Sequence, residues 1–132
     1  MKKIIAAMVS VLAFMVSAAA QRDFGGTVRF DRTVFDFGRV DLRDGAVSCS
    51  FEVTNIGDKP LNILAVTTSC SCTTPKWTKG DIAPGKNGRI DVSYTNDEGP
   101  YPFDKALTVY IDGLEKPVIL HVKGTAFKGR KK

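Results

Sequence analysis

Beyond residue 21 the apolar side chains of this chain recur at every second position and never hold helical spacing for three turns. Val47, Cys49, Phe51 and Val53 alternate with Ser48, Ser50, Glu52 and Thr54, and Ile90, Val92 and Tyr94 alternate with Asp91 and Ser93. Phe103, Leu107, Val109 and Ile111 share a parity that only Lys105 interrupts, while Val118, Leu120 and Val122 alternate with Ile119 and His121. Neighbouring residues of a strand point to opposite faces, so each pattern lays one apolar row on one side of a sheet. The separators are turn formers: Asn55 to Pro60, Pro84-Gly85, Asn96 to Pro100, and the tight-hairpin pair Asp112-Gly113. The alternation predicts strands over 27–37, 46–54, 61–68, 88–95, 103–111 and 117–125. Six or seven short strands in about 110 residues predict an all-β fold, an immunoglobulin-like antiparallel β-sandwich, with an up-and-down barrel as the alternative.

The first twenty residues follow a different rule. Lys2 and Lys3 precede an apolar run from Ile4 to Val16, then Ser17 and Ala18-Ala19-Ala20. That order is a secretory signal peptide, and the run is shorter than the ~18–20 residues that cross a bilayer as a helix. Cleavage after Ala20 would start the mature chain at Gln21, and no cysteine follows to take a lipid. The expectation is an exported protein, periplasmic or secreted, not a lipoprotein and without a stable membrane span after cleavage. Its organisation would be a signal peptide (1–20), a short linker (21–26), a sandwich domain (27–127) and a basic tail (128–132).

Composition permits a core, with 43% hydrophobic residues, and charge at first hints at nucleic acid, with a formal +5. Six of the nineteen Lys and Arg lie at the extreme ends (Lys2, Lys3, Lys128, Arg130, Lys131, Lys132), leaving thirteen against fourteen carboxylates. The body is near neutral, so a nucleic-acid face is not expected. Asp31, Asp36, Asp41 and Asp44 are interleaved with Arg29, Arg32, Arg39 and Arg43, which reads as a solvated strand face rather than a calcium site.

Candidate chemistry centres on Cys70-Ser71-Cys72. In an extended backbone, residues i and i+2 lie roughly 6.5–7 Å apart, at or beyond disulfide reach, whereas a turn at Ser71 would bring them together. A strained Cys70–Cys72 bridge, a dithiol facing one way, and a bridge to Cys49 all remain open. Three cysteines are odd in number, and Cys49, between Val47 and Phe51, reads as a small buried hydrophobe. Lys76 and Lys79 follow closely and could lower a thiol pKa, but no helix is predicted after Cys72 as a thioredoxin-like site would need. Two thiolates are half of a structural zinc set and chemically suit Cu(I). The only imidazole, His121, points away from the core by parity, and the mature chain has no Met to serve copper. Nucleophilic catalysis would need a thiol beside His121, which nothing in the spacing provides. Trp77 reads as a plug on the sandwich end or, if exposed, a partner anchor.

The order of motifs resembles a bacterial family, domain of unknown function 1573. The resemblance rests on Phe35-Asp36-Phe37-Gly38, Thr54-Asn55-Ile56-Gly57, Pro60-Leu61 and Ser69 to Thr73. It continues through Pro75, Trp77, Ile82-Ala83-Pro84-Gly85, Pro102-Phe103-Asp104-Lys105 and Gly124. It implies an Ig-like, Hydin-type sandwich, usually exported, and no assigned activity. Ser71 stands where the family usually has Gly, so a positive φ at that position would strain it.

The expected function is therefore a non-catalytic binding or assembly module with a protein partner in the cell envelope, without cofactor or metal. The expected contact surface is the loop from Cys70 to Trp77, with Cys70, Ser71, Cys72, Thr73 and Trp77. The alternative is a periplasmic thiol-redox or soft-metal protein that uses Cys70 and Cys72; a small hydrolase is set aside.

Overall fold

The computed structural model describes residues 21–129, so the expected signal peptide and most of the basic tail lie outside the described residues. Ten strands follow in order: β1 (Arg22–Phe24), β2 (Val28–Phe30), β3 (Val34–Asp41), β4 (Val47–Asn55), β5 (Leu61–Thr68), β6 (Thr73–Trp77), β7 (Asp81–Ile82), β8 (Asn87–Tyr94), β9 (Pro102–Ile111) and β10 (Val118–Phe127). They form two five-stranded sheets, β1-β2-β4-β8-β6 and β3-β10-β9-β5-β7, that face each other as an Ig-like sandwich. The only helix among the described residues is a single 3-10 turn, Leu42–Asp44. No helix among them is long and apolar enough to cross a membrane.

The expected single strand over 27–37 is two strands in different sheets. Asp31 remains tied to β4, its N–H donating to Glu52 O at 3.1 Å while its side chain accepts from Glu52 N–H at 2.9 Å. Two residues on, Thr33 O accepts from His121 N–H of β10 at 2.9 Å, so the chain changes sheets within Asp31-Arg32-Thr33. A change of phase marks the crossing in the sequence: Val28 and Phe30 point inward on even positions, Phe35 and Phe37 on odd ones. Having crossed over, β3 runs parallel to β10, so the second sheet is mixed rather than wholly antiparallel.

Between the sheets, Phe30, Phe51, Val53, Ile90 and Val92 meet Ile63, Leu107, Val109, Leu120 and Val122 in one apolar cluster. Full burial of each such side chain stabilises by roughly 1.5–3 kcal/mol. A second, smaller cluster closes one end of the sandwich and contains Val40, Cys72, Tyr94, Phe103 and Ala126. Tyr94 and Phe103 stack across the two sheets with centroids 4.1 Å apart. Beside this end β3 bulges at Gly38 (φ 71°), whose N–H donates to Asp36 Oδ1 at 2.7 Å. Opposite the bulge, a Cβ on Gly124 would lie 2.9 Å from both Gly38 O and the Phe103 ring, so only glycine fits.

Candidate functional site

Residues 70–77 are not one loop. Cys70 to Thr73 form a tight turn, closed by Thr73 N–H donating to Cys70 O at 3.3 Å, and Thr73–Trp77 is the edge strand β6. The turn brings the Cα atoms of Cys70 and Cys72 to 5.1 Å, and the two sulfurs form a disulfide. Asn96 is the only non-glycine residue among the described residues with a positive φ, so Ser71 takes the turn without the expected strain.

The two cysteines differ in surroundings. Cys72 is 7% exposed and belongs to the end cluster, whereas Cys70 is half-buried at its rim. Cys70 N–H donates to Thr68 Oγ1 at 3.3 Å and Cys72 N–H donates to Cys70 Sγ at 3.2 Å. The Thr73 hydroxyl lies 3.5 Å from Cys72 Sγ. Ser71 is exposed and Thr73 buried. Trp77 sits elsewhere: its half-buried ring packs on the main cluster, opposite Ile90 of β8. Lys79 Nζ lies 3.4 Å from the centre of that ring, which occupies it away from the thiols. Lys76 is exposed on the outer face of β6. The five residues expected to share a contact surface therefore divide between a partly buried turn and a separate aromatic contact.

Three residues that the sequence reading did not place beside the cysteines, Glu98, Tyr94 and Lys105, complete this end. Glu98 places its carboxylate with Cys70 and Cys72 Sγ, all these atoms within 4.8 Å of one another. This carboxylate accepts from Lys105 Nζ and from the Tyr94 hydroxyl, each at 2.8 Å. The bond from Lys105, then that from Tyr94, holds the Glu98 carboxyl below its ordinary value. Burial, then the carboxylate beside it, pushes the Tyr94 phenol up. Lys105 was visible as the residue that broke the apolar parity of β9. It points to the inner side, opposite Val122, and the break marks the place where a charge caps the end of the core. The neighbouring polar loop is fixed by the buried Asn96 (φ 56°), whose side-chain amide donates to Asp41 O and Gly45 O at 3.0 Å each.

As a disulfide, the sulfurs offer no thiolate to a soft metal. The third donor beside them is Glu98, and His121 stays away from them, as its parity along the strand implies. His121 faces outward and its Nδ1 lies 2.8 Å from Asp104 Oδ1. Five residues of β10, roughly 16 Å at 3.3 Å each, separate it from Ala126 of the end cluster. Cys49 is a free cysteine, buried in the main core as expected, and its burial pushes the thiol up to about 11.

The outer faces of the two sheets contrast. On the first sheet Ser48, Ser50, Glu52, Arg89, Asp91, Thr74 and Lys76 make a polar face, with Arg89–Asp91 paired at 3.0 Å and Ser50–Asp91 at 2.6 Å. The second sheet carries four of the five exposed large apolar side chains among the described residues: Val34 (43% exposed), Leu64 (60%), Tyr110 (43%) and Ile119 (44%). Register makes them neighbours. Ile119 is opposite Thr108, two residues from Tyr110; Tyr110 is opposite Ala65, next to Leu64 at a bulge in β5; Val34 is opposite His121, two residues from Ile119.

The family described as "Protein of unknown function (DUF1573)" matches residues 28–126. A crystal structure of a protein of unknown function from Porphyromonas gingivalis W83 is similar over 86% of this chain and 51% of its own, at 22% identity and a TM-score of 0.66. The secreted serine protease VesC from Vibrio cholerae is similar over 77% of this chain and 23% of its own, at 15% identity and TM-score 0.60. The ASH / PapD-like domain of human CEP192 is similar over 80% of this chain and 88% of its own, at 10% identity and TM-score 0.58. These likenesses concern the fold. The chain spans about half the length of the Porphyromonas protein. No curated protein sequence matches it.

Proposed function

This chain belongs to the DUF1573 family, and we propose that it is an exported, non-enzymatic module that binds another protein of the cell envelope through the outer face of its β3-β10-β9-β5 sheet. The observation that carries the reading is the gathering of Val34, Leu64, Tyr110 and Ile119 on that face while the opposite outer face is polar. Ala65, Thr67, Ala106 and Thr108 fill the space between them without charge, and Asp36, Asp104, His121 and Lys123 form a charged rim towards one end. A contiguous apolar patch with a polar rim is the surface form of a protein contact. Export rests on the Lys2-Lys3, apolar and Ala18-x-Ala20 sequence, and a disulfide is in keeping with an oxidising compartment. The non-enzymatic reading rests on His121, which is turned outward to Asp104 and away from every cysteine.

Site-specific photo-crosslinking in cells producing the full chain tests the surface. A photoreactive residue at Ile119 should give a discrete protein adduct that the same residue at Ser50 does not. Equal adducts from both positions, or none from Ile119, would overturn the assignment of the face. Mass spectrometry of the released protein should give Gln21 as the first residue; a cytosolic protein retaining Met1 would overturn export.

A further inference from the structure

Besides the contact face, the cysteine end carries a second activity: we propose that Cys70–Cys72 is an exchangeable disulfide at which Cys70 takes an external low-molecular-weight thiol and Cys72 is the leaving sulfur. The inference stands on the asymmetry of the pair and does not depend on the contact face. Cys70 is half-buried at the rim of the sandwich end, whereas Cys72 is 7% exposed within it, so an incoming thiolate reaches Cys70 Sγ first.

The hydrogen bonds suit the charges that exchange creates. An external thiolate attacks Cys70 Sγ, a sulfur–sulfur bond forms to it, and the Cys70–Cys72 bond breaks with its electron pair on Cys72 Sγ. The Thr73 hydroxyl, 3.5 Å from that sulfur, is placed to donate to the new thiolate, which then takes a proton from water. A second external thiolate attacks the external sulfur of the mixed disulfide and releases Cys70 as a thiolate. Cys72 N–H already points at Cys70 Sγ from 3.2 Å and is placed to stabilise that charge. In sum two thiols become one disulfide and the protein disulfide becomes a dithiol. Glu98 opposes anionic attack, since its carboxylate lies within 4.8 Å of both sulfurs, and Lys105, 2.8 Å from that carboxylate, offsets part of its charge.

The test uses the folded mature protein and glutathione, with peptide mass mapping to locate each adduct. Reduced glutathione should open the wild-type disulfide at a rate that stays flat with urea below the unfolding transition. A rate that instead tracks the unfolded population overturns the proposal, because the bridge would then open only when the sandwich does. With oxidised glutathione, Cys70 in the Cys72→Ser variant should form its adduct at least roughly tenfold faster than Cys72 in the Cys70→Ser variant. Equal rates, or a faster Cys72, overturn the assignment of roles. Glu98→Gln should speed opening of the wild-type pair by about fourfold, the Coulomb factor for removing one like charge at about 5 Å in water. An unchanged or slower rate removes Glu98 from the site.

Discussion

Asn55 offers the sharpest test of how the sandwich is held together. Its side chain is 1% exposed and makes three hydrogen bonds to the backbone. The amide donates to Lys59 O at 2.7 Å and to Ile82 O at 2.8 Å, and its oxygen accepts from Gly57 N–H at 2.9 Å. One residue at the end of β4 thus fastens the turn into β5 and the short strand β7. Its own backbone adds bonds from Asn55 N–H to Lys86 O at 3.0 Å and from Gly85 N–H to Asn55 O at 2.8 Å. Asn55→Ala removes the three side-chain bonds and leaves their backbone partners to find others. At about 1 kcal/mol net for each bond, the loss is about 3 kcal/mol. With a urea slope of ~1.5 kcal/mol/M the unfolding midpoint falls by about 2 M at unchanged slope. Asn55→Asp separates bonding from volume, because a carboxylate keeps the acceptor and loses both donors. Facing two carbonyls in a buried site, its folded pKa lies above the unfolded one, so the variant is most stable at low pH and loses stability as pH rises through that folded pKa. A loss below about 1 kcal/mol for Asn55→Ala, or a pH-independent Asn55→Asp, would refute the reasoning.

Two further outcomes follow from local geometry. Arg43 holds the Asp41 carboxyl at about 2, below its ordinary 3.8, so the pair's stabilisation is present at neutral pH and is lost as pH falls from about 4 through about 2. Urea melts over that range should show an acid decline that Arg43→Ala reduces, and identical pH profiles would refute it. Gly124→Ala should destabilise by roughly 2–3 kcal/mol, since the new Cβ meets the backbone oxygen of Gly38 as well as the Phe103 ring. Melting without loss of stability would show that β3 shifts freely at its bulge.

The sandwich was legible because period-two hydrophobicity reports burial directly: the rows from Cys49 to Val53, Ile90 to Tyr94 and Val118 to Val122 are inward rows of β4, β8 and β10. The residues that carry the resemblance were legible as a set but not in purpose. Gly38 and Gly124 make a bulge possible, and Asn55 ties loops together, so this part of the pattern specifies the fold. Strands β1, β6 and β7 were hidden by shortness, and β6 also by Pro75. Thr95 N–H donates to Cys72 O and Thr78 N–H to Arg89 O, which turns the even positions of β6 towards β8 and leaves Pro75, without an N–H, on the free edge. That edge is poorly made for adding a strand from another chain. Glu98 was not legible at all, because nothing in a polar loop shows that its carboxylate will return to the sulfurs.

Strand β9 runs from the cysteine end to the apolar part of its sheet's outer face without merging the two. At its start Phe103 stacks on Tyr94 in the cysteine end and Lys105 holds Glu98; near its finish Tyr110 enters the apolar part of the outer face. Lys105 and Tyr110 are five residues apart, roughly 16 Å along an extended strand, and point to opposite sides of it. Groups that far apart without shared partners contribute additively within a few tenths of a kcal/mol. A partner bound at Tyr110, as proposed, would therefore leave the surroundings of Cys70 unchanged, and opening the disulfide would leave the apolar patch in place. Such independence needs a rigid sheet between the regions, which the fully buried Leu107 and Val109 provide by fastening the middle of β9 to the core.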